Sequence, residues 1–172
     1  MGRFAAMTRR RHWKGAMSAL ECLKTERVSL LEQHEHIPAA LRIEVDRIID
    51  RYAHGDCHIF TSVAAERHEM NFVILRQVDG QVPVHSCLAV GGSPCLYLDA
   101  YGLDTIESIK ARYADYGTLY VDDDSDLDDL GFMFSPNKDD EDEKQEREDA
   151  LEALQTVIVL IATLQNLRRT NV

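Results

Sequence analysis

Cys57, His85 and Asp99 differ in chemistry and stand at intervals that secondary structure can close. Cys57 follows Asp56 where a helix is expected to open. The unpaired N–H groups of a first turn put partial positive charge there, which favours thiolate over thiol. Asp56 reads as the N-cap, its carboxylate accepting from those N–H groups. A thiolate at a helix start is already a nucleophile, and an adjacent imidazolium lowers its pKa further. With His85 as the imidazole and Asp99 as the carboxylate holding it, the set reads as nucleophile, base and orienter. That chemistry is attack on a carbonyl carbon with a Cys thioester as intermediate.

Two strands must bring His85 and Asp99 together. Val84 to Val90 and Cys95 to Ala100 flank Gly91-Gly92-Ser93-Pro94, a hairpin signal. Side chains alternate along a strand, so His85, Cys87 and Ala89 share one face, and Cys95, Tyr97 and Asp99 share one face of the return strand. Matching the aliphatic faces puts His85 and Asp99 on the same side. Direct opposition of 85 and 99 would also pair 87 with 97 and 89 with 95. Cys87 and Cys95 are expected to be two buried thiols.

Around this hairpin the pattern predicts helices and further strands. Residues 17–34 carry apolar side chains at helical spacing. A second helix is expected after Ile37-Pro38, with the stripe Leu41, Val45, Ile48 and Ile49 and an end at His54-Gly55. The Cys57 helix runs over 57–69. Strands are expected at 71–78, 83–90, 95–100 and 118–121, and a short helix, capped by Thr105, runs to Tyr113. Asp149 to Arg169 reads as a strong helix, acidic at its start and basic at its finish, as the macrodipole favours. Its centre, Val157 to Ala162, is apolar all round and asks for cover on several sides, either from the N-terminal helices or from a second copy, with a homodimer through this helix slightly favoured. The whole is an α+β domain with a small antiparallel sheet packed against N-terminal, central and C-terminal helices.

The stretches His54-Gly55-Asp56-Cys57-His58-Ile59-Phe60, Val84-His85-Ser86 and Tyr97-Leu98-Asp99-Ala100-Tyr101-Gly102 resemble the papain-like (NlpC/P60-type) cysteine peptidase superfamily. The shared pattern is a Cys opening a helix that packs on a sheet, a His at the start of the next strand and an Asp or Asn on the strand after. The resemblance implies a papain-like fold and a thiol-dependent hydrolase or transferase acting on an amide or acyl bond of a protein or peptide. Carried over by position, Cys57 is nucleophile, His85 base and Asp99 orienter. Many members hold the oxyanion with a Gln, Asn or Tyr just before the Cys. Here that region offers Tyr52 and His54 as supporting donors beside the Cys57 N–H.

Composition bounds the alternatives. The 172 residues carry a net charge of −11, placed unevenly: residues 1–30 sum to +5 and residues 121–150 to −11. Most of such a surface repels a phosphate backbone, so direct nucleic-acid binding is disfavoured outside the basic arm Thr8 to Lys14. The expected organisation is a basic arm (1–14), an α+β domain (15–121), an acidic loop (122–148) and a C-terminal helix (149–172). The acidic residues 122–143 support a second reading from another class: a non-catalytic inhibitor that blocks the basic surface of a nucleic-acid-handling partner. There is no C-x-x-C, and His54, Cys57 and His58 lack the ligand spacing of a closed zinc site, so no metal or cofactor is implied. The six apolar residues at 157–162 are too few for a membrane span, no signal peptide is read at the N-terminus, and a cytoplasmic location with reduced thiols is expected. Cys57 is expected to react with iodoacetamide near neutral pH faster than Cys22. Equal labelling rates, read by peptide mass mapping, would remove the nucleophile assignment.

Overall fold

The computed structural model describes residues 26–91, 95–131 and 140–170. Their fold is mixed α+β, with a six-stranded antiparallel sheet in the order β1-β5-β4-β3-β2-β6. The strands are β1 (Val28–Ser29), β2 (Phe72–Gln77), β3 (Pro83–Gly91), β4 (Leu96–Asp99), β5 (Gly102–Asp104) and β6 (Leu119–Asp122). The described α-helices are α1 (Ala39–His54), α2 (Cys57–His68), α3 (Ile106–Arg112), α4 (Leu127–Gly131) and α5 (Asp140–Thr170).

The alternation along the strands decides what each face of the sheet packs against. Leu88, Val90, Leu96, Leu98 and Leu103 join the main core with α1, α2 and α5. Val73, Leu75 and Cys87 point the other way, into a smaller core with Ile109, Tyr113 and Leu119. Helix α2 is the centre of the larger core: every residue from Cys57 to Ala65 is buried, which explains its lack of a polar face. Pro38 occupies the N-cap of α1, and Gly55 closes that helix by donating its N–H to the Arg51 carbonyl. Thr105 caps α3 as expected, its hydroxyl accepting from the Ser108 N–H at 3.3 Å.

Several expectations need correction. Val28–Ser29 is a strand on β5, so the helix expected over 17–34 does not extend through it; residues 17–25 lie outside the described residues. Leu41 is 40% exposed, and the buried stripe of α1 is Val45, Ile48, Ile49, Tyr52 and Ala53. The hairpin register is shifted by two residues. Leu88 faces Leu98 and Ala89 faces Tyr97, with an irregularity before Gly91 that absorbs residues, so His85 stands diagonal to Asp99. A shift of two preserves the face, and the parity argument survives it. Cys95 is exposed while Cys87 is buried, because Cys95 precedes β4 instead of lying within it.

The acidic stretch expected as a loop is folded in part. Asp122 ends β6 and pairs with Arg76 at 2.6 Å. Asp126 and Asp129 exchange side chain-to-backbone hydrogen bonds at 3.0 Å around the start of α4. Helix α5 begins at Asp140, nine residues before the expected start. Its apolar centre is covered within the chain: Val157, Ile158, Leu160 and Ile161 are buried, and Val159 alone among these five is exposed. The surface that argued for a second copy is therefore mostly occupied by α2, β1 and β5. By length and composition α5 could cross a membrane, but half of its most apolar 18-residue window is buried against the rest of the chain.

Gly102 holds the β4–β5 turn against β1. Its φ is +116°, and a Cβ there would lie 2.3 Å from the Val28 carbonyl oxygen. Gly102→Ala combines a left-handed backbone with a clash against another strand's main chain. It is expected to destabilise the fold by about 3 kcal/mol, measured by urea denaturation. A loss under about 0.5 kcal/mol, the range of a surface substitution, would show that β1 is not held at this distance.

Candidate functional site

The head of α2, the start of β3 and the end of β4 converge on one buried cluster. Cys57 is the first residue of α2, since Asp56 supplies the carbonyl that accepts from Ile59 and Phe60 at 3.0 and 3.2 Å. Asp56 makes no side-chain cap. Its carboxylate is drawn instead to Arg51 at 3.0 Å, which corrects the capping expectation. The cause is competition: a guanidinium one turn back on α1 offers a charge-assisted bond, stronger than a neutral N–H.

His85 and Asp99 meet across the diagonal of the hairpin, with Nε2 to Oδ2 at 3.1 Å. Both are fully buried, and Cys57 keeps only 6% of its surface exposed. Asp99 is held at both oxygens. Oδ1 accepts the Tyr101 N–H at 2.9 Å, and Oδ2 also accepts from Arg112 at 3.0 Å. Asp99 occupies Nε2, while Nδ1 is buried without a hydrogen-bond partner, so it is the ring nitrogen left for the Cys57 thiolate, whose charge raises the His85 pKa. The Tyr113 ring stacks on the imidazole with centroids 4.4 Å apart and planes at 24°. Its hydroxyl donates to the Ala53 carbonyl at 2.7 Å, which pins the stack to the last turn of α1.

The electrostatics separate two buried thiols. Burial pushes the Cys57 thiol up, but the neighbouring His58 and His85 side chains, the His85 charge and the Ser86 N–H outweigh it and bring the pKa down to about 5. Cys87, buried on the smaller core, is pushed well up by burial and by the Asp99 and Cys57 charges, against which the Arg112 charge is the smaller effect. For His85, burial favours the neutral ring, yet Asp99 and Cys57 raise the pKa to about 9. Asp99 is held below the usual carboxylate range: burial opposes ionisation, and the His85 bond, the Arg112 charge and the Tyr101 N–H overcome it. At neutral pH the cluster is thiolate, imidazolium and carboxylate in a row.

The two supporting residues lie elsewhere. The Tyr52 ring packs on Phe60, and its buried hydroxyl has no hydrogen-bond partner. Burial pushes that hydroxyl up to about 12, with Arg51, Asp149, Asp56 and Arg47 as its charged surroundings. His54 is hydrogen-bonded through Nε2 to the Tyr101 hydroxyl at 3.0 Å, so it joins the cluster through β4's following turn. Five residues that the sequence reading did not assign to the site belong to it: His58, Ser86, Tyr101, Tyr113 and Arg112. Adjacency to Cys57 and His85 is a signal for the first two. For Tyr113 and Arg112 there is none, because the chain returns to the site only after β5.

A groove of about 430 Å³ runs beside His54, lined by Leu31, Asp46, Arg47, Ile49 and Asp50. A larger cavity of about 580 Å³ lies between the C-terminal half of α2 and the first turns of α5, and none of the cluster's residues lines it. Among the described residues no three His, Cys, Asp or Glu side chains form a metal-binding group. Compared with protein-family models, curated proteins and solved structures, the chain matches none of them.

The depressed Cys57 pKa depends on His85. In His85→Ala the thiolate loses a cationic neighbour while burial and the His58 interaction remain, so the pKa is expected to climb from about 5 toward the ordinary thiol range. Thiolate ultraviolet absorbance followed against pH reads the change. An unmoved midpoint would mean that the imidazole does not act on the sulfur.

Proposed function

We propose that the protein is a thiol-dependent hydrolase or acyl transferase of the papain-like kind, acting on an amide or acyl bond of a protein or peptide. The observation that carries this reading is the buried thiolate–imidazolium pair at the head of α2 with Asp99 behind it. The order of elements supports it too: helix with Cys57, strand, strand with His85, strand with Asp99. Burial by itself raises a thiol and lowers an imidazole, so the lowered Cys57 and the raised His85 are each shifted against burial toward the charged form.

The steps follow from the charges. The Cys57 thiolate attacks the carbonyl carbon, and the carbonyl π electrons move onto oxygen. In this reading the Cys57 backbone N–H, at the head of α2, donates to that oxyanion. The tetrahedral intermediate collapses as the His85 imidazolium gives its proton to the leaving amine, leaving a thioester on Cys57. Neutral His85 then takes a proton from water, whose oxygen attacks the thioester, and collapse releases the carboxylic acid and the thiolate. Asp99 keeps Nε2 engaged throughout, so the mobile proton leaves from and returns to Nδ1. An amine in place of water completes a transfer.

Activity is expected between two limbs. Below about 5 Cys57 takes up a proton and ceases to attack; above about 9 His85 loses the proton the leaving group needs. The test is acylation by p-nitrophenyl esters and by a panel of peptide amides across pH, with intact-mass detection of the acyl-enzyme. Cys57→Ala is expected to lose at least roughly a thousandfold in rate. If the native protein forms no adduct with these esters beyond Cys57→Ala, the reading fails.

A further inference from the structure

Beyond Asp99 the cluster continues as an alternating run of charges. Arg112 on α3 spans two buried carboxylates: one terminal nitrogen donates to Asp99 Oδ2 at 3.0 Å, the other to Asp104 Oδ2 at 2.9 Å. Asp104, on β5, is as buried as Asp99, at 1% exposure. Its other oxygen accepts from the Thr105 N–H at 2.8 Å and from Arg27, which continues to Glu32 at the surface. From the sulfur outward the signs are Cys57 negative, His85 positive, Asp99 negative, Arg112 positive, Asp104 negative and Arg27 positive. The run closes at zero. Buried charges persist where each has a partner of opposite sign, and removing the central cation would leave two carboxylates facing each other.

We propose that Arg112 is a positioning residue, which fixes the Asp99 carboxylate against His85 and sets the pH range over which the thiolate–imidazolium pair exists. The proposal rests on the thiol-enzyme reading of the same site. Two features single out Arg112 from an ordinary ion pair. Its fork shares one oxygen of Asp99 with His85, so the carboxylate cannot rotate away from the imidazole without breaking the Arg112 bond. Its guanidinium carbon lies 4.7 Å from the centre of the Tyr101 ring, and Tyr101 donates its own N–H to the other Asp99 oxygen. Arg112 thereby grips Asp99 directly and through the turn that follows it.

The sign of the effect is set by Coulomb's law. A cation beside the pair favours deprotonation of both Cys57 and His85, so its removal moves both limbs of the profile to higher pH. Removal of an anion moves both to lower pH. The other groups facing the pair are His58 on α2, Cys87 on β3, Tyr101 after β4 and Tyr113 after α3, with His54 behind Tyr101. None of them changes in the variants below.

The experiment is the pH dependence of Cys57 alkylation by iodoacetamide, resolved from Cys22, Cys87 and Cys95 by peptide mapping, together with the His85 titration by NMR. It needs no substrate. Arg112→Met is expected to move both midpoints up by about one pH unit, the order of a charge several ångströms away in a partly screened interior. Arg112→Lys, which keeps the charge and loses the fork, is expected to return them only in part, since one ammonium cannot bridge Asp99 and Asp104 as the guanidinium does. Asp104→Asn is expected to shift them the opposite way and guards against failure of Arg112→Met to fold. Loss of stability with unmoved midpoints in the folded variants would make Arg112 structural only and overturn the proposal. So would movement of Asp104→Asn in the same direction as Arg112→Met. A native protein whose Cys57 shows no low-pH midpoint would overturn the thiol-enzyme reading itself, and that outcome is separate because it appears before any variant is made.

Discussion

The bond between His85 and Asp99 is the constraint around which the sheet and its flanking helices are arranged. A carboxylate and an imidazolium with almost no solvent contact are costly to bury singly, and the protein meets that cost by giving both Asp99 oxygens and His85 Nε2 a partner, leaving Nδ1 alone without a hydrogen bond. Asp99 takes three donors from three different places: a strand neighbour, its own following turn and α3. The imidazole takes a carboxylate at Nε2, a thiolate on the Nδ1 side and an aromatic face from Tyr113. Much of the topology on the α3 side of the sheet is what this requires.

The short elements are explained by that requirement. β5 has three residues and β1 two, too few to stabilise a sheet by their own pairing. They fix Asp104 and Arg27 at the far end of the charge run and hold the turn that carries the Tyr101 N–H. Gly102 lets that turn approach β1 closely enough to do so. α3 has seven residues, and it presents Ile109 to the smaller core and Arg112 to the two carboxylates. The larger core on the opposite face carries the bulk of the apolar burial and leaves the site face free to hold charge.

Two thiols on neighbouring elements show how local the control is. Cys57 and Cys87 are both buried, yet one is driven toward thiolate and the other away from it. The difference lies in the donors around the first: two imidazoles and the Ser86 N–H act on Cys57, while at Cys87 a carboxylate and another thiolate outweigh the Arg112 charge. Burial raises every interaction in the cluster, favourable or not, so the identity of the nearest partners decides the outcome.

The sequence by itself determined the local pieces of this protein. Pro38, Gly55, Thr105 and the run Leu119-Tyr120-Val121 mark element boundaries where backbone chemistry permits few alternatives, and Cys57 is at a helix start as its neighbours imply. Strand parity was enough to put His85 and Asp99 on one face, because a side-chain period of two is indifferent to a register shift of two. What only the tertiary structure decided is everything that depends on competition or on distant return of the chain. Asp56 reads as a cap until Arg51 is one turn away; Val28 and Ser29 read as helix until β5 offers them an edge. Arg112 carries no local mark at all, since its meaning comes from two carboxylates that α3 meets only after β4 and β5 have folded back beside it. Local propensity is written residue by residue, whereas the partner of a buried charge is chosen by the fold.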